Sequence, residues 1–126
     1  MAKAPRPTDG ELAILRVLWD HGPATVRQIH ERLGRDTAYT TVLKLLQIMT
    51  EKSLVLRNEA TRTHVYAAAQ PAVQTQRQMV KDLADRAFAG SSANLVLQAL
   101  AAKRATPEEL AEIRRLLDEH EQKGDA

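Results

Sequence analysis

The sequence predicts a mainly α fold that carries one small β-hairpin, and three observations predict it. Aromatic residues make up 3% of the 126 residues, so the core must come from Leu, Val, Ile and Ala, which here recur at helical spacing. Three segments place Glu or Gln three positions after a threonine: Thr8 with Glu11, Thr25 with Gln28, and Thr106 with Glu109. Each is a capping box, in which two side chains satisfy free amides of a helix's first turn. The third observation is an alternating stretch, Leu54 to Tyr66, that reads as two short strands around a polar turn.

Residues 1–7 carry two prolines and read as a disordered arm. The first capping box opens a helix whose apolar stripe is Leu12, Ile14, Leu15, Leu18 and Trp19, and Gly22-Pro23 stops it. The second opens a short helix with Val26, Ile29 and Leu33 on one face, ended by Gly34. After the turn Arg35-Asp36-Thr37, a third helix is expected from about Ala38 to Lys52, with Val42, Leu45, Leu46 and Met49 inward. Two short helices joined by a tight turn form a helix-turn-helix. The strands Leu54–Arg57 and Arg62–Tyr66, around Asn58-Glu59-Ala60-Thr61, supply its wing. A winged helix-turn-helix therefore spans residues 8–70.

Residues 71–126 read as a helical dimerisation domain: a long helix from Val73 to Phe88, another from Asn94 to Ala102, and a last one ending near His120. Leu95, Leu97 and Leu100 on one helix, and Leu110, Ile113, Leu116 and Leu117 on the next, need more cover than so short a stretch provides. A second copy of the chain is the simplest cover.

The third helix carries the candidate chemistry. At 100° per residue, Thr37, Thr40, Lys44, Gln47 and, at the far end, Glu51 face away from the core, with Thr41 and Ile48 on the flank. Hydroxyl, amide and ammonium groups there can meet phosphates or base edges, and no carboxylate on the leading turns repels a duplex. Tyr39 lies near the edge of the buried face, where its hydroxyl can reach phosphate, and Arg57 and Arg62 offer charge from the wing. Residues 1–70 carry 10 Lys+Arg against 7 Asp+Glu, a net of +3, and residues 71–126 carry 8 against 9, a net of −1. The basic excess thus lies on the half with the hairpin, as in a reader of nucleic acid.

The same residues exclude other classes. The chain has no cysteine, which removes disulfides, thiolate nucleophiles and cysteine metal sites. His21, His30, His64 and His120 share no metal-ligand spacing, and no phosphate loop or nucleophile elbow occurs, so neither cofactor nor enzyme activity is expected. No apolar run approaches the ~20 residues of a membrane span. The Met1–Pro7 stretch lacks an apolar signal core, so a cytoplasmic protein without membrane insertion is expected.

These residues resemble the penicillinase-repressor (BlaI/MecI-type) family of bacterial transcription regulators. The resemblance is carried by Glu11-Leu12-Ala13-Ile14-Leu15-Arg16-Val17-Leu18-Trp19, by Thr25-Val26-Arg27-Gln28-Ile29, by Ala38-Tyr39-Thr40-Thr41-Val42-Leu43 with Leu46, and by Arg62-Thr63-His64-Val65-Tyr66. It implies a homodimeric repressor on a palindromic operator in double-stranded DNA. Thr40, Thr41 and Lys44 would then lie in the major groove, and Arg62 at the wing. It also implies release by a membrane-bound sensor metallopeptidase that cuts the second half of the chain. The family's usual Asn-Phe junction falls here on Gln98-Ala99, a departure that bears on cleavage at this spot. The wing turn lacks the glycine common in the family, and the cysteine cluster of the copper-responsive branch is absent. From the residues alone, a winged helix used only to bind other proteins stands as the alternative.

Overall fold

A computed structural model describes residues 6–124. The chain divides after Val80 into two compact units. In the first, α1 (Asp9–His21), α2 (Val26–Leu33) and α3 (Tyr39–Glu51) pack on one another and on a three-stranded antiparallel sheet. Both expected capping boxes are formed: Thr8 with Glu11 starts α1, and Thr25 with Gln28 starts α2. Both helices end on glycines at φ +85° and +93° with ψ near 180°, a region essentially closed to any side chain with a Cβ. Gly22 and Gly34 therefore fix where the two helices stop and the chain turns.

The sheet has the order β1-β3-β2, from β1 (Ala24–Thr25), β2 (Val55–Asn58) and β3 (Val65–Ala68). Its central strand pairs Tyr66 with Ala24 on one side and with Arg57 on the other. The sequence did not disclose β1, because two residues are too few for a period and Pro23 precedes them. The last strand lies later than expected, at Val65–Ala68 rather than Arg62–Tyr66, because β2 pairs Leu56 with Ala67 and Val55 with Ala68. Arg62 consequently sits in the wing loop. Local hydrogen bonds hold that loop: Asn58 Oδ1 accepts from the Ala60 amide at 2.9 Å, and the Thr61 hydroxyl donates to the Thr63 carbonyl at 2.6 Å.

Ile14, Leu15, Leu18, Ile29, Val42, Leu46, Met49, Val55 and Tyr66 form one core between helices and sheet. Trp19 packs half-buried against it, and its indole N–H donates to the Gln70 carbonyl at 3.0 Å. Among the described residues, one buried charge lies at the rim of this core. Glu11 is 1% exposed and accepts from the Thr8 amide and from Lys52 Nζ, each at 2.8 Å. Burial by itself would raise the Glu11 carboxyl. Lys52 and Thr8 outweigh that and hold it below its ordinary value. Of the expected arm, residues 1–5 lie outside the described residues, and Pro7 is half-buried.

The helix α4 (Ala72–Ala87) carries the chain across the division between units. The second unit then contains α5 (Ser92–Ala102) and α6 (Pro107–Gly124). The helix α5 begins earlier than its apolar run does, because the Ser91 hydroxyl accepts from the Asn94 amide. The Thr106–Glu109 capping box opens α6, which runs past His120. No described residue of α5 or α6 is buried. No described helix is long and apolar enough to cross a membrane.

Candidate nucleic-acid interface

The turn Gly34–Ala38 sets the entry of α3. His30 on α2 donates from Nε2 to the Thr37 carbonyl at 2.9 Å, and its ring meets Tyr39 edge-on at 5.7 Å between centroids. The pair fixes the first turn of α3 against α2. Thr37 is half-buried in this turn, and Ala38 is the N-cap with no side chain capping it. The first-turn amides of α3 therefore lack a side-chain acceptor, and its first turn holds no acid. Val42, Leu46 and Met49 anchor the inner face. Thr40, Thr41, Lys44 and Gln47 are all exposed on the other, and Tyr39 is half exposed. The structure thus presents the polar strip in the arrangement its helical spacing requires, with Thr37 drawn back into the turn.

The two wing arginines differ in surroundings. Arg57 lies 2.5 Å from the Glu59 carboxylate, so its charge is locally compensated. Arg62 instead lines an open cleft of about 540 Å³ between the start of α2, the leading turns of α3 and the wing. Arg27, Tyr39 and His64 line the same cleft, and no carboxylate does. Arg27 and His64 are exposed and were not singled out by the sequence reading. One signal did exist for Arg27: a cation in a helix's first turn opposes the helix dipole, so its place there is not explained by α2 itself. No sequence spacing connects Arg27 to His64; the pairing of β1 with β3 does. Among the described residues, no cluster of histidine and carboxylates could hold a metal ion.

In the second unit, Leu97 is 64% exposed and Leu117 57%. Leu100 and Leu116 are exposed as well, whereas Leu95, Leu110 and Ile113 are half-buried. Gln98 and Ala99 lie in the middle of α5, on exposed positions.

The sequence profile of a family described as Penicillinase repressor matches residues 7–119. The chain belongs to that family. Among individual members, the transcriptional regulator BlaI of Mycobacterium tuberculosis is 49% identical over 70 residues, which are 53% of this chain and 51% of that protein. The chain thus matches about half the length of that relative. The penicillinase repressor of Bacillus licheniformis is 22% identical over 122 residues, 95% of both chains. These relatives are named as regulators and repressors of transcription, not as enzymes. A solved structure of a Lactococcus lactis ZitR variant superposes with a TM-score of 0.50 at 19% identity, covering 98% of this chain and 79% of that one. That likeness concerns the fold, which for this member of the penicillinase repressor family is a winged helix with a three-stranded sheet.

Proposed function

We propose that this chain is a homodimeric transcriptional repressor in the cytoplasm that binds a palindromic operator in double-stranded DNA through α3 and the wing. The observation that carries the reading is the outer face of α3, exposed and free of carboxylates from Thr40 to Gln47, beside a cleft lined by Arg27, Arg62 and His64. Thr40, Thr41, Lys44 and Gln47 enter the major groove, where hydroxyl, ammonium and amide groups read base edges. Tyr39, the Thr37 turn and the cleft hold the backbone, because phosphates are met by cations and hydroxyls placed to either side of the reading helix. Arg57, compensated by Glu59, has a smaller share. The exposed leucines of α5 and α6 pair two copies, setting two heads on two half-sites. Release is linked to a membrane-bound metallopeptidase acting on the second unit. Gln98-Ala99 is accessible there but helical, so cutting at that bond requires α5 to unwind locally.

Selection of bound sequences from random duplexes at two salt concentrations tests the reading. A palindrome with half-sites about one helical turn apart is the expected result. Failure to enrich any sequence at low salt would favour a protein-interaction module instead.

Two substitutions then separate base reading from phosphate contact. Lys44→Ala is expected to weaken the selected operator by roughly 1–3 kcal/mol and to relax preference at one base position. Equal affinity of variant and parent for every sequence would remove Lys44 from the interface. Arg27→Gln is expected to weaken all duplexes alike and to lower the salt slope by about 0.9, the signature of one lost phosphate contact. Arg57→Gln should change the slope much less. The reverse ranking in a salt titration would reassign the phosphate contact to the strand.

A further inference from the structure

Outside the polar strip and its cleft, the first unit holds a cavity of about 330 Å³, within the range of small-molecule sites. Leu15, Leu54 and Met79 give it an apolar lining, and Leu15 is among the core residues at 2% exposure. Gln74 and Gln78, one turn apart on α4 and both exposed, supply amides along the same lining. Lys52 completes it. Its ammonium carries three donors, and among the described residues one of them meets Glu11 at 2.8 Å. The side chain remains 30% exposed, so further donors can turn toward an acceptor in the cavity. Among the described residues, no carboxylate lines the space.

An apolar interior with the cations of Lys52 and Arg6 and glutamine amides around it defines a chemical complement. We propose that this cavity binds a small amphipathic molecule whose apolar body lies against Leu15, Leu54 and Met79 and whose acceptor oxygen, carboxylate or carbonyl, meets Lys52 Nζ. The apolar body removes hydrocarbon surface from water on both sides. A charge-assisted hydrogen bond from Lys52 orients the head, and the glutamine amides accept or donate beside it. A cationic head would face Lys52 without an anion to meet. The assignment is independent of the reading as a DNA-binding repressor.

Titration of the full chain with hexanoate, hexanamide and hexylamine tests it, followed through the methyl resonances of Leu15, Leu54 and Met79. Hexanoate is expected to shift all three with an affinity of about 1 mM, as suits a probe of so few atoms. Hexylamine should bind at least about tenfold more weakly, since it offers no acceptor to the lysine. Comparable binding of hexanamide marks a carbonyl as sufficient, and weaker binding marks the carboxylate as the required head. Gln78→Trp, at an exposed helical position, should fill the cavity and abolish the shifts without changing the melting temperature. Lys52→Met should narrow the difference between hexanoate and hexylamine, with Arg6 left as the remaining cation of the lining. Absence of methyl shifts with every probe, or equal hexanoate binding by the parent and Gln78→Trp, would overturn the proposal.

Discussion

Leu97→Asp and Leu116→Asp are each expected to convert the proposed dimer to monomers and to remove most of its affinity for the proposed operator. Both side chains lie exposed in the isolated chain, Leu97 at 64% and Leu116 at 43%, on helices of which no described residue is buried. In an interface between two copies, each substitution enters twice by symmetry. A carboxylate transferred without a partner costs several kcal/mol, so two amount to roughly 6 kcal/mol and lower the association constant about 10⁴-fold. Separation of the heads then removes their mutual effective concentration, a further loss of about 10²–10⁴-fold on a two-half-site operator. Light scattering reports the mass, and binding to a single half-site reports that the head is intact. Dimers of normal mass in both variants would place the interface elsewhere. Loss of the dimer in one variant alone would assign it to that helix.

The proposed reading face was legible because its signals are local. Capping boxes mark where α1 and α2 begin, and on α3, which has none, the helical period alone turns Thr40, Lys44 and Gln47 away from Val42 and Leu46. The uncovered leucines of α5 and α6 were foreseeable for a related reason: apolar runs without enough chain to cover them are visible in composition. Contacts that depend on chain topology were not legible. The strand Ala24–Thr25 has no pattern of its own, yet it pairs with Tyr66 and Val65, while β2 carries β3 on to Ala67 and Ala68, residues with little strand preference. The pairing of β1 with β3 brings Arg27 to the same cleft as Arg62 and His64. In the same way, Glu59 follows Arg57 by two residues, yet only the folded wing shows that it compensates the arginine.

Glu11 is the sharpest instance of what local pattern shows and omits. Its capping box with Thr8 was evident in the sequence, whereas its partner Lys52 lies 41 positions away at the end of α3. Lys52→Met is therefore expected to destabilise the first unit by about 3 kcal/mol, because it leaves an ionised carboxylate, 1% exposed, with the Thr8 amide as its remaining donor. For a domain of this size the melting temperature should fall by roughly 15 °C. The cost belongs to the orphaned charge and not to the lost pair, so Glu11→Leu combined with Lys52→Met should recover most of it, less the cap. The pH dependence supplies an independent check. Burial pushes the Glu11 carboxyl up, but Lys52 and Thr8 bring it below 4.5 in the folded chain. Its contribution is thus fully present above the unfolded value and is lost as pH falls below 4.5 through the lower folded value. In Lys52→Met, burial acts with less opposition, and the folded carboxyl moves up. The variant then gains from protonation where the parent loses, and the two melting curves should converge as pH drops. Thermal unfolding at neutral and acid pH measures both effects. A melting temperature for Lys52→Met close to the parent's at neutral pH would mean that water already solvates the Glu11 carboxylate and that the ion pair contributes little.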